Sequence, residues 1–168
     1  MKTRLRCLLA LLMLTTMAAW GQKRAAASPW VKIVDDGTST IYYNKNIQTT
    51  SRGNHVVWVK TIFHTTDWQR YLAQQIGSRV PVYSTKTKAM YDADYNYAMV
   101  RQVIAYSKAG KQLANTGDDT SAGWLPVNAS DPVGIVGEYL GNQQNEQDDG
   151  NTDDGSDDGQ DEDDDYGV

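Results

Sequence analysis

The stretch HVVWVKTIFH, residues 55–64, decides the fold of this chain because its two sets of side chains alternate without a break. One set comprises Val57, Val59, Thr61 and Phe63, and the other comprises Val56, Trp58, Lys60 and Ile62. Strict alternation of β-branched and aromatic residues indicates a β-strand with two different faces. We therefore expect a sheet, and the flanking segments show how it is extended.

Further extended segments lie on both sides of this strand. On the N-terminal side, WVKIV at 30–34 and STIYYN at 39–44 enclose the turn sequence DDG, which predicts a hairpin. On the C-terminal side, VPVYSTKTKAMYD at 80–92 resumes extended structure, and YAMVRQVIAYS at 97–107 alternates again. The segment KAGKQL at 108–113 supplies a turn and the start of another strand.

A change of period predicts a short helix in the middle of the chain, in DWQRYLAQQI at residues 67–76. The residues that recur at spacings of three and four are Trp68, Tyr71, Leu72 and Gln75. Thr66 or Asp67 is the expected N-cap, and Gly77 is the expected stop.

A second helix is predicted near the C-terminus, in DPVGIVGEYLGN at residues 131–142. Ser130 or Asp131 would cap it, and a proline stands in its first turn, where the missing amide hydrogen costs nothing. Its apolar stripe comprises Val133, Val136 and Leu140, and Gly134 and Gly137 are expected to weaken it. The fold class predicted is α+β: an antiparallel sheet of about six strands packed against a C-terminal helix, with one extra short helix mid-chain.

Both ends of the chain are expected to lie outside this domain. Residues 1–21 have a basic start, an apolar run and then small residues, which is typical of a secretory signal peptide. The apolar run is shorter than the roughly 20 residues that a stable membrane span needs. We predict a flexible segment at 22–28, the domain at 29–142 and a disordered acidic tail at 143–168. The protein would be exported, to the periplasm, the cell surface or the medium.

Charge is divided unevenly along the chain. Of the 21 acidic residues, 12 lie between residues 146 and 165, where there is no lysine or arginine. The rest of the exported chain is mildly basic, but its cations are scattered and no nucleic-acid motif is present, so nucleic acid is not expected as a partner. The only cysteine is Cys7, so the exported domain would be held together without disulfides.

The acidic stretch DDGNTDDGSDDGQDEDDD, residues 148–165, invites comparison with a calcium-binding loop. Starting from Asp149, the first donors fall at the right spacing, but Asp154 occupies the position that needs glycine and Gln160 the position that needs glutamate. Repeated Asp-Asp-Gly without apolar anchors is typical of a solvated tail. We expect weak, salt-sensitive divalent cation binding from charge density alone.

The order and spacing of the segments resemble the surface-adhesin protein E family of small exported bacterial proteins. The resemblance is carried by WVKIV at 30–34, TIYYNKNIQ at 40–48, VVWVK at 56–60, RQVIAYSKAGKQL at 101–113 and WLPVNASDPVGIVGEYL at 124–140. It implies an antiparallel sheet packed against a C-terminal helix, and a role in attachment to host or matrix proteins.

Residues that could support catalysis or hold a metal are few and scattered. His55 and His64 are the only histidines, and their odd spacing along one strand would place them on opposite faces. The available carboxylate pairs are Asp92 with Asp94 and Asp118 with Asp119. These pairs lie in short turns that lack the apolar walls needed to raise a carboxyl pKa. We predict no enzyme activity, no metal site and no cofactor.

Aromatic residues supply the candidate binding site. Tyr91, Tyr95 and Tyr97 in YDADYNY are the predicted binding residues, because tyrosine combines a large contact area with a polar end. The alternative is that these tyrosines simply cover the sheet. The residues expected in the core are Trp30, Trp58 and Trp124.

These observations predict an exported, non-catalytic binding protein. Its expected function is that of an adhesin-like module that recognises host or matrix proteins at the bacterial envelope. The alternative is a periplasmic or envelope accessory protein whose acidic tail docks basic partners or loosely binds cations.

Overall fold

The computed structural model describes residues 28–148 and arranges them as one sheet and two helices. The strands are β1 (Trp30–Asp35), β2 (Ser39–Asn44), β3 (Gln48–Thr49), β4 (His55–Phe63), β5 (Ser84–Tyr91), β6 (Tyr97–Tyr106), β7 (Gln112–Asn115) and β8 (Leu125–Pro126). The helices are α1 (Thr66–Gln75) and α2 (Pro132–Asp148).

Every pairing in the sheet is antiparallel across the described residues. The strand order is β1-β2-β4-β5-β6-β7, with β3 added to β4 and β8 added to β6. β1 and β2 form the predicted hairpin, and β4 lies in the middle of the sheet, paired with β5 over most of its length. The predicted α+β fold, with an antiparallel sheet and a C-terminal helix, is confirmed.

Both helices pack on the same face of the sheet, which we call the covered face. Under α2, the strands contribute Ile41, Tyr43, Val57, Val59, Ala89, Tyr91 and Ala98 to the core. The helix contributes Val133, Val136 and Leu140, which are the three residues of its predicted stripe. Each large aliphatic side chain buried in this way contributes about 1.5–3 kcal/mol to folding. The interface between α2 and the sheet therefore forms the larger of the two core clusters described.

α1 covers the other end of the same face through a smaller cluster. Ala73 is its buried residue and clusters with Val82 and Ala105, and Leu72 and Phe63 pack against this cluster. Of the residues that recur at helical spacing, Trp68 and Tyr71 are half exposed and pack edge-on against each other. The small Ala73 side chain lets this helix approach the sheet closely, which turns the two large rings outwards.

The ends of α1 agree in part with the predicted signals. The helix begins after Thr65 and not after Thr66 or Asp67, and the Thr65 side chain makes no capping hydrogen bond. The side-chain amide of Gln69 instead donates to the Phe63 carbonyl oxygen at 2.7 Å, which fixes the entry to the helix. Gly77 terminates the helix with a φ of 65°, a backbone conformation that glycine adopts at little cost.

The start of α2 is capped as predicted. The Asp131 carboxylate accepts hydrogen bonds from the backbone amides of Val133 and Gly134, at 2.8 and 3.0 Å. The buried Tyr91 hydroxyl donates to the Val133 carbonyl oxygen at 2.7 Å and ties this first turn to β5. The helix is thus held at its N-terminus by a cap and by a hydrogen bond from the sheet.

The glycines of α2 are points of close approach. A Cβ built on Gly134 would overlap the Asn128 carbonyl oxygen, and a Cβ on Gly137 would lie 2.9 Å from the Tyr91 ring. The expectation that these glycines weaken the helix therefore covers only the isolated helix. In the domain, Gly134 lets the helix lie against the preceding loop, and Gly137 lets it lie against Tyr91 of β5.

α2 continues to Asp148, past the predicted domain boundary at Asn142. Apolar burial ends at Leu140, but the side-chain amide of Gln143 donates to the Tyr139 hydroxyl at 2.8 Å and continues the side-chain contacts of the helix by one turn. Helical backbone can extend past the last buried residue because each further residue adds a hydrogen bond.

None of the helices formed by residues 28–148 is long and apolar enough to cross a membrane. The predicted signal peptide at 1–21 and the acidic stretch from residue 149 onwards lie outside the described residues, as does most of the predicted segment 22–28.

Candidate binding surface

The opposite face of the sheet, which we call the uncovered face, carries neither α1 nor α2. Neither core cluster includes a side chain that β4 or β5 presents on this face. One row of side chains crosses it on five neighbouring strands, and consists of Lys32, Tyr42, Lys60, Lys86 and Ile104. Three cations in one row give this face a chemistry that differs from that of the covered face.

Aromatic rings enclose the two central lysines of the row. The Lys60 ammonium lies 4.2 Å from the ring centroid of Tyr42 and 5.1 Å from that of Trp30. The Lys86 ammonium lies 5.5 Å from the ring centroid of Tyr106 and 5.8 Å from that of Trp30. We call these five residues the lysine–aromatic platform. Trp30 comes from the edge strand β1, and its ring lies within reach of both ammonium groups.

Lys60 and Lys86 are directly opposite each other in the β4–β5 register. Directly opposite residues in an antiparallel pair have Cβ atoms only about 4.5–5.5 Å apart, so two like charges there repel and destabilise the sheet. Burial, and secondarily the charge of Lys86, lowers the pKa of Lys60. The contacts with the rings offset part of this cost, by about 0.5–1 kcal/mol for each cation–π contact.

Neighbouring cations on this side of the sheet are already paired. The Asp118 carboxylate lies 2.7 Å from the Lys88 ammonium and 2.9 Å from the Arg101 guanidinium. The hydrogen bond from Lys88 lowers the pKa of Asp118, so this carboxylate stays ionised. Within residues 28–148, however, neither Lys60 nor Lys86 forms an ion pair.

The platform therefore suits an anionic ligand. Each ammonium offers three hydrogen-bond donors, and a carboxylate between the two would relieve their mutual repulsion. The flanking rings reduce the access of water and supply contact area to a bound chain. The two ammonium groups and the three rings are thus groups that can hold and orient an anionic chain.

The predicted tyrosine site is corrected by the structure. Tyr91 is fully buried beneath α2, and burial strongly raises the pKa of its hydroxyl. Tyr95 is 8% exposed, adopts a φ of 57° and stacks on the His55 ring at 4.9 Å. Only Tyr97 is open to solvent, at 50% exposure. The first two tyrosines hold the helix on the sheet, and cannot contact a partner while it is docked.

The predicted core tryptophans are also corrected. Trp30 and Trp58 are partly buried on the uncovered side, and Trp124 is 39% exposed. Lys60 and Lys86, the two central cations of the candidate surface, are not among the residues predicted to bind. Lys60 is the one lysine of β4 and shares its face with Trp58, whereas Lys86 and Lys88 alternate with threonines in β5.

The histidines and the carboxylate pairs have separate local contacts. His55 stacks on Tyr95, whereas the His64 Nε2 atom lies 2.6 Å from the Thr40 hydroxyl oxygen. Asp92 accepts a hydrogen bond from a turn amide at 2.9 Å, and hydrogen bonds from Ser121 lower the pKa of Asp119. In the described part of the chain, no group of three or more His, Cys, Asp or Glu residues is placed to hold a metal.

No protein-family model matches the chain, and a comparison with curated proteins gives no match. The resemblance to the surface-adhesin protein E family accordingly stays a prediction.

Proposed function

We propose that this protein is an exported, non-catalytic binding module, adhesin-like in its action, which recognises a host or matrix protein at the bacterial envelope. The observation that carries the proposal is the pair of opposed lysines, Lys60 and Lys86, which lie among aromatic rings on the uncovered face. The partner segment that fits this surface is acidic.

The energetics of the platform support a binding role. Opposed like charges lower the stability of a sheet, and partial burial adds to that cost. A sequence selected only for folding would gain by replacing one of the two lysines with a neutral side chain. Retaining both is reasonable if an anionic partner neutralises them in the bound state, because the repulsion is then relieved on binding.

The carboxylates of the domain support the non-catalytic part of the proposal. A carboxyl group that acts as a general acid at neutral pH needs a raised pKa, obtained by burial in apolar surroundings. Hydrogen bonds instead lower the pKa values of Asp36, Asp118 and Asp119, all of which lie at the surface. These carboxylates serve turns and ion pairs.

The test is binding of the exported chain to immobilised host matrix proteins, compared between two double variants of equal net charge. Lys60→Gln with Lys86→Gln removes the two platform cations, whereas Lys108→Gln with Lys111→Gln removes two exposed cations from the β6–β7 turn. We expect the first variant to lose at least tenfold in affinity and the second to bind like the parent. Equal binding by both variants would refute the assigned surface.

Location must be tested separately, because an adhesin has to be reachable from outside the cell. Protease treatment of intact cells should remove the domain, with a periplasmic enzyme as the protected control. Complete protection of the domain would exclude adhesion and favour the envelope accessory role.

That second candidate function, a tail that docks basic partners or loosely binds cations, is favoured by the separation of charge. Residues 149–165 contain ten carboxylates and no lysine or arginine. A basic partner captured through the tail would still bind the Lys60→Gln, Lys86→Gln variant, and would be lost when the carboxylates of the tail are converted to amides.

A further inference from the structure

The lysine–aromatic platform and the acidic stretch are complementary parts of one chain. Residues 28–148 contain 11 lysines and arginines against 11 acidic residues, so the domain as a whole is neutral. The uncovered face nevertheless concentrates Lys60 and Lys86, with no carboxylate of the described residues bound to either. Residues 149–165 hold ten carboxylates. The largest store of negative charge thus follows directly after the domain.

We propose that the acidic segment 149–165 docks on the lysine–aromatic platform of its own chain and competes there with the acidic partner. The inference rests on the proposed function, because both assign the same surface. It adds regulation, since a partner must displace the segment before it can bind.

The position of α2 makes this docking possible. The helix crosses the covered face towards the end of the sheet at which β4 begins, where Leu140 and Gln143 line a shallow pocket together with His55 and Tyr95. From there to Asp148 the helix advances by about 10 Å, at 1.5 Å per residue. The acidic segment therefore starts close to one end of the sheet, from which both faces are accessible.

The length of the segment is sufficient to reach the platform. Lys60 lies five residues along β4 from His55, which is about 17 Å at the rise of a β-strand, and the sheet with its side chains is about 10 Å thick. A path from Asp148 around the end of the sheet is thus about 35–40 Å long. Seventeen residues span up to about 56 Å when extended, so the later carboxylates reach the lysines without strain.

The composition of the segment suits this surface. The carboxylates that reach the lysines include five consecutive acidic residues at 161–165, so several adjacent carboxylate pairs are available to one pair of ammonium groups. Glycine, which has no side chain, allows the backbone to lie close to the flanking rings. Tethering raises the local concentration of these carboxylates to about the millimolar range, which lets individually weak contacts hold the segment in place.

The test places a spin label in the acidic segment and measures by NMR which backbone amide signals of the domain the label broadens. In a Cys7→Ser background, Ser156→Cys is the only cysteine and can carry a nitroxide label. In the ¹⁵N-labelled full chain we expect strong broadening at Lys60, Lys86 and the Trp30 indole N–H, and none at Ala73 on the covered face. Salt of about 1 M, at which the screening length is about 3 Å, should remove the effect.

Variants decide whether the platform is responsible. Lys60→Gln with Lys86→Gln should abolish the broadening, and Lys108→Gln with Lys111→Gln should leave it unchanged, with thermal unfolding as the check that both fold. Broadening that is absent, uniform over the surface or unaffected by the platform variant would overturn the inference. Broadening in a mixture of separately spin-labelled and ¹⁵N-labelled chains would also overturn it, because the segment would then occupy a second copy.

A second measurement separates this inference from the proposed function. When the ten carboxylates of residues 149–165 are converted to amides in the full chain, affinity for the matrix protein should rise at least threefold. A synthetic peptide of residues 148–165 should then compete with that protein. Matrix binding that depends on the platform lysines but not on the segment would refute only the inference. Docking of the segment without matrix binding would refute only the proposed function.

Discussion

Replacing glycines of α2 by alanine should change stability in opposite directions along one helix. The three substitutions are Gly134→Ala, Gly137→Ala and Gly141→Ala, and each adds one methyl group. In an exposed helix interior, alanine is more favourable than glycine by about 1 kcal/mol. A helix whose glycines had no contacts would therefore be stabilised at all three positions.

The structure predicts a different result at each position. The added Cβ at Gly134 would overlap the Asn128 carbonyl oxygen, and because this is a backbone atom the helix has to move. Overpacking of this kind costs about 1–3 kcal/mol, and displacing the first turn also weakens the Tyr91–Val133 hydrogen bond, worth about 1 kcal/mol. We expect Gly134→Ala to lose about 2 kcal/mol net.

The other two positions provide a graded comparison. At Gly137 the added Cβ would lie 2.9 Å from side-chain atoms of Tyr91 and Val127, so we expect a loss of about 1 kcal/mol. At Gly141 the nearest atom is the Tyr95 Cβ at 3.4 Å, an ordinary contact, and we expect a gain of about 0.5 kcal/mol. Gly141→Ala is thus the matched control within the same helix.

Urea unfolding at neutral pH measures the series, with the m-value as the check that the unfolding transition stays the same. Thermal unfolding should give the same order, with about 4 °C for each kcal/mol in a domain of this size. The reasoning would be refuted if Gly134→Ala were as stable as Gly141→Ala, because the first turn of α2 could not then lie as close to the Asn128 backbone as the structure shows.

Three further predictions concern charges and hydrogen bonds. Because Lys60→Gln and Lys86→Gln each relieve the same repulsion, the double variant should gain about 0.5 kcal/mol less stability than the sum of the two single variants. Urea unfolding measures this difference, and high salt should remove it. Burial raises the pKa of Tyr91 above its value in the unfolded chain, so the contribution of the neutral hydroxyl to the free energy of unfolding is complete below about pH 10 and falls above it by about 1.4 kcal/mol per pH unit. In Tyr91→Phe, the free energy of unfolding should therefore fall less steeply with pH in this alkaline range. An unchanged slope would contradict this. Asp131→Ala removes the cap of α2 and should cost about 1 kcal/mol, measured by urea unfolding, whereas Asn145→Ala in its last turns should cost less than half of that.

The strands could be predicted from the sequence because alternation is a local property. The faces of β4 are as predicted, with Val57 and Val59 in the core and Trp58 and Lys60 opposite. Alternation does not show which face a helix covers. Size alone predicts that the tryptophans lie in the core, but α2 packs on aliphatic residues and tyrosines and leaves Trp30 and Trp58 on the other side of the sheet.

The candidate site depends on register, which the sequence does not show directly. Lys60 and Lys86 are 26 positions apart, and a shift of one residue between β4 and β5 would place them on opposite faces. The tyrosine turn was misassigned for a related reason. YDADYNY is typical of an exposed loop, but a helix from a distant part of the sequence covers two of its three tyrosines.

The lateral borders of the sheet have a consequence for solubility. Strand borders with free amide and carbonyl groups invite polymerisation of folded chains. β1 is irregular at Ile33, which interrupts the ladder on that border. On the other border, β7 and β8 pair with opposite ends of β6 and leave a gap between them. The loop after β7 covers part of this gap, because the Thr116 amide donates to the Val103 carbonyl oxygen and the Asp119 amide donates to the Arg101 carbonyl oxygen. Neither border offers a long regular template, so edge-to-edge growth into fibrils is disfavoured even at high local density of the protein.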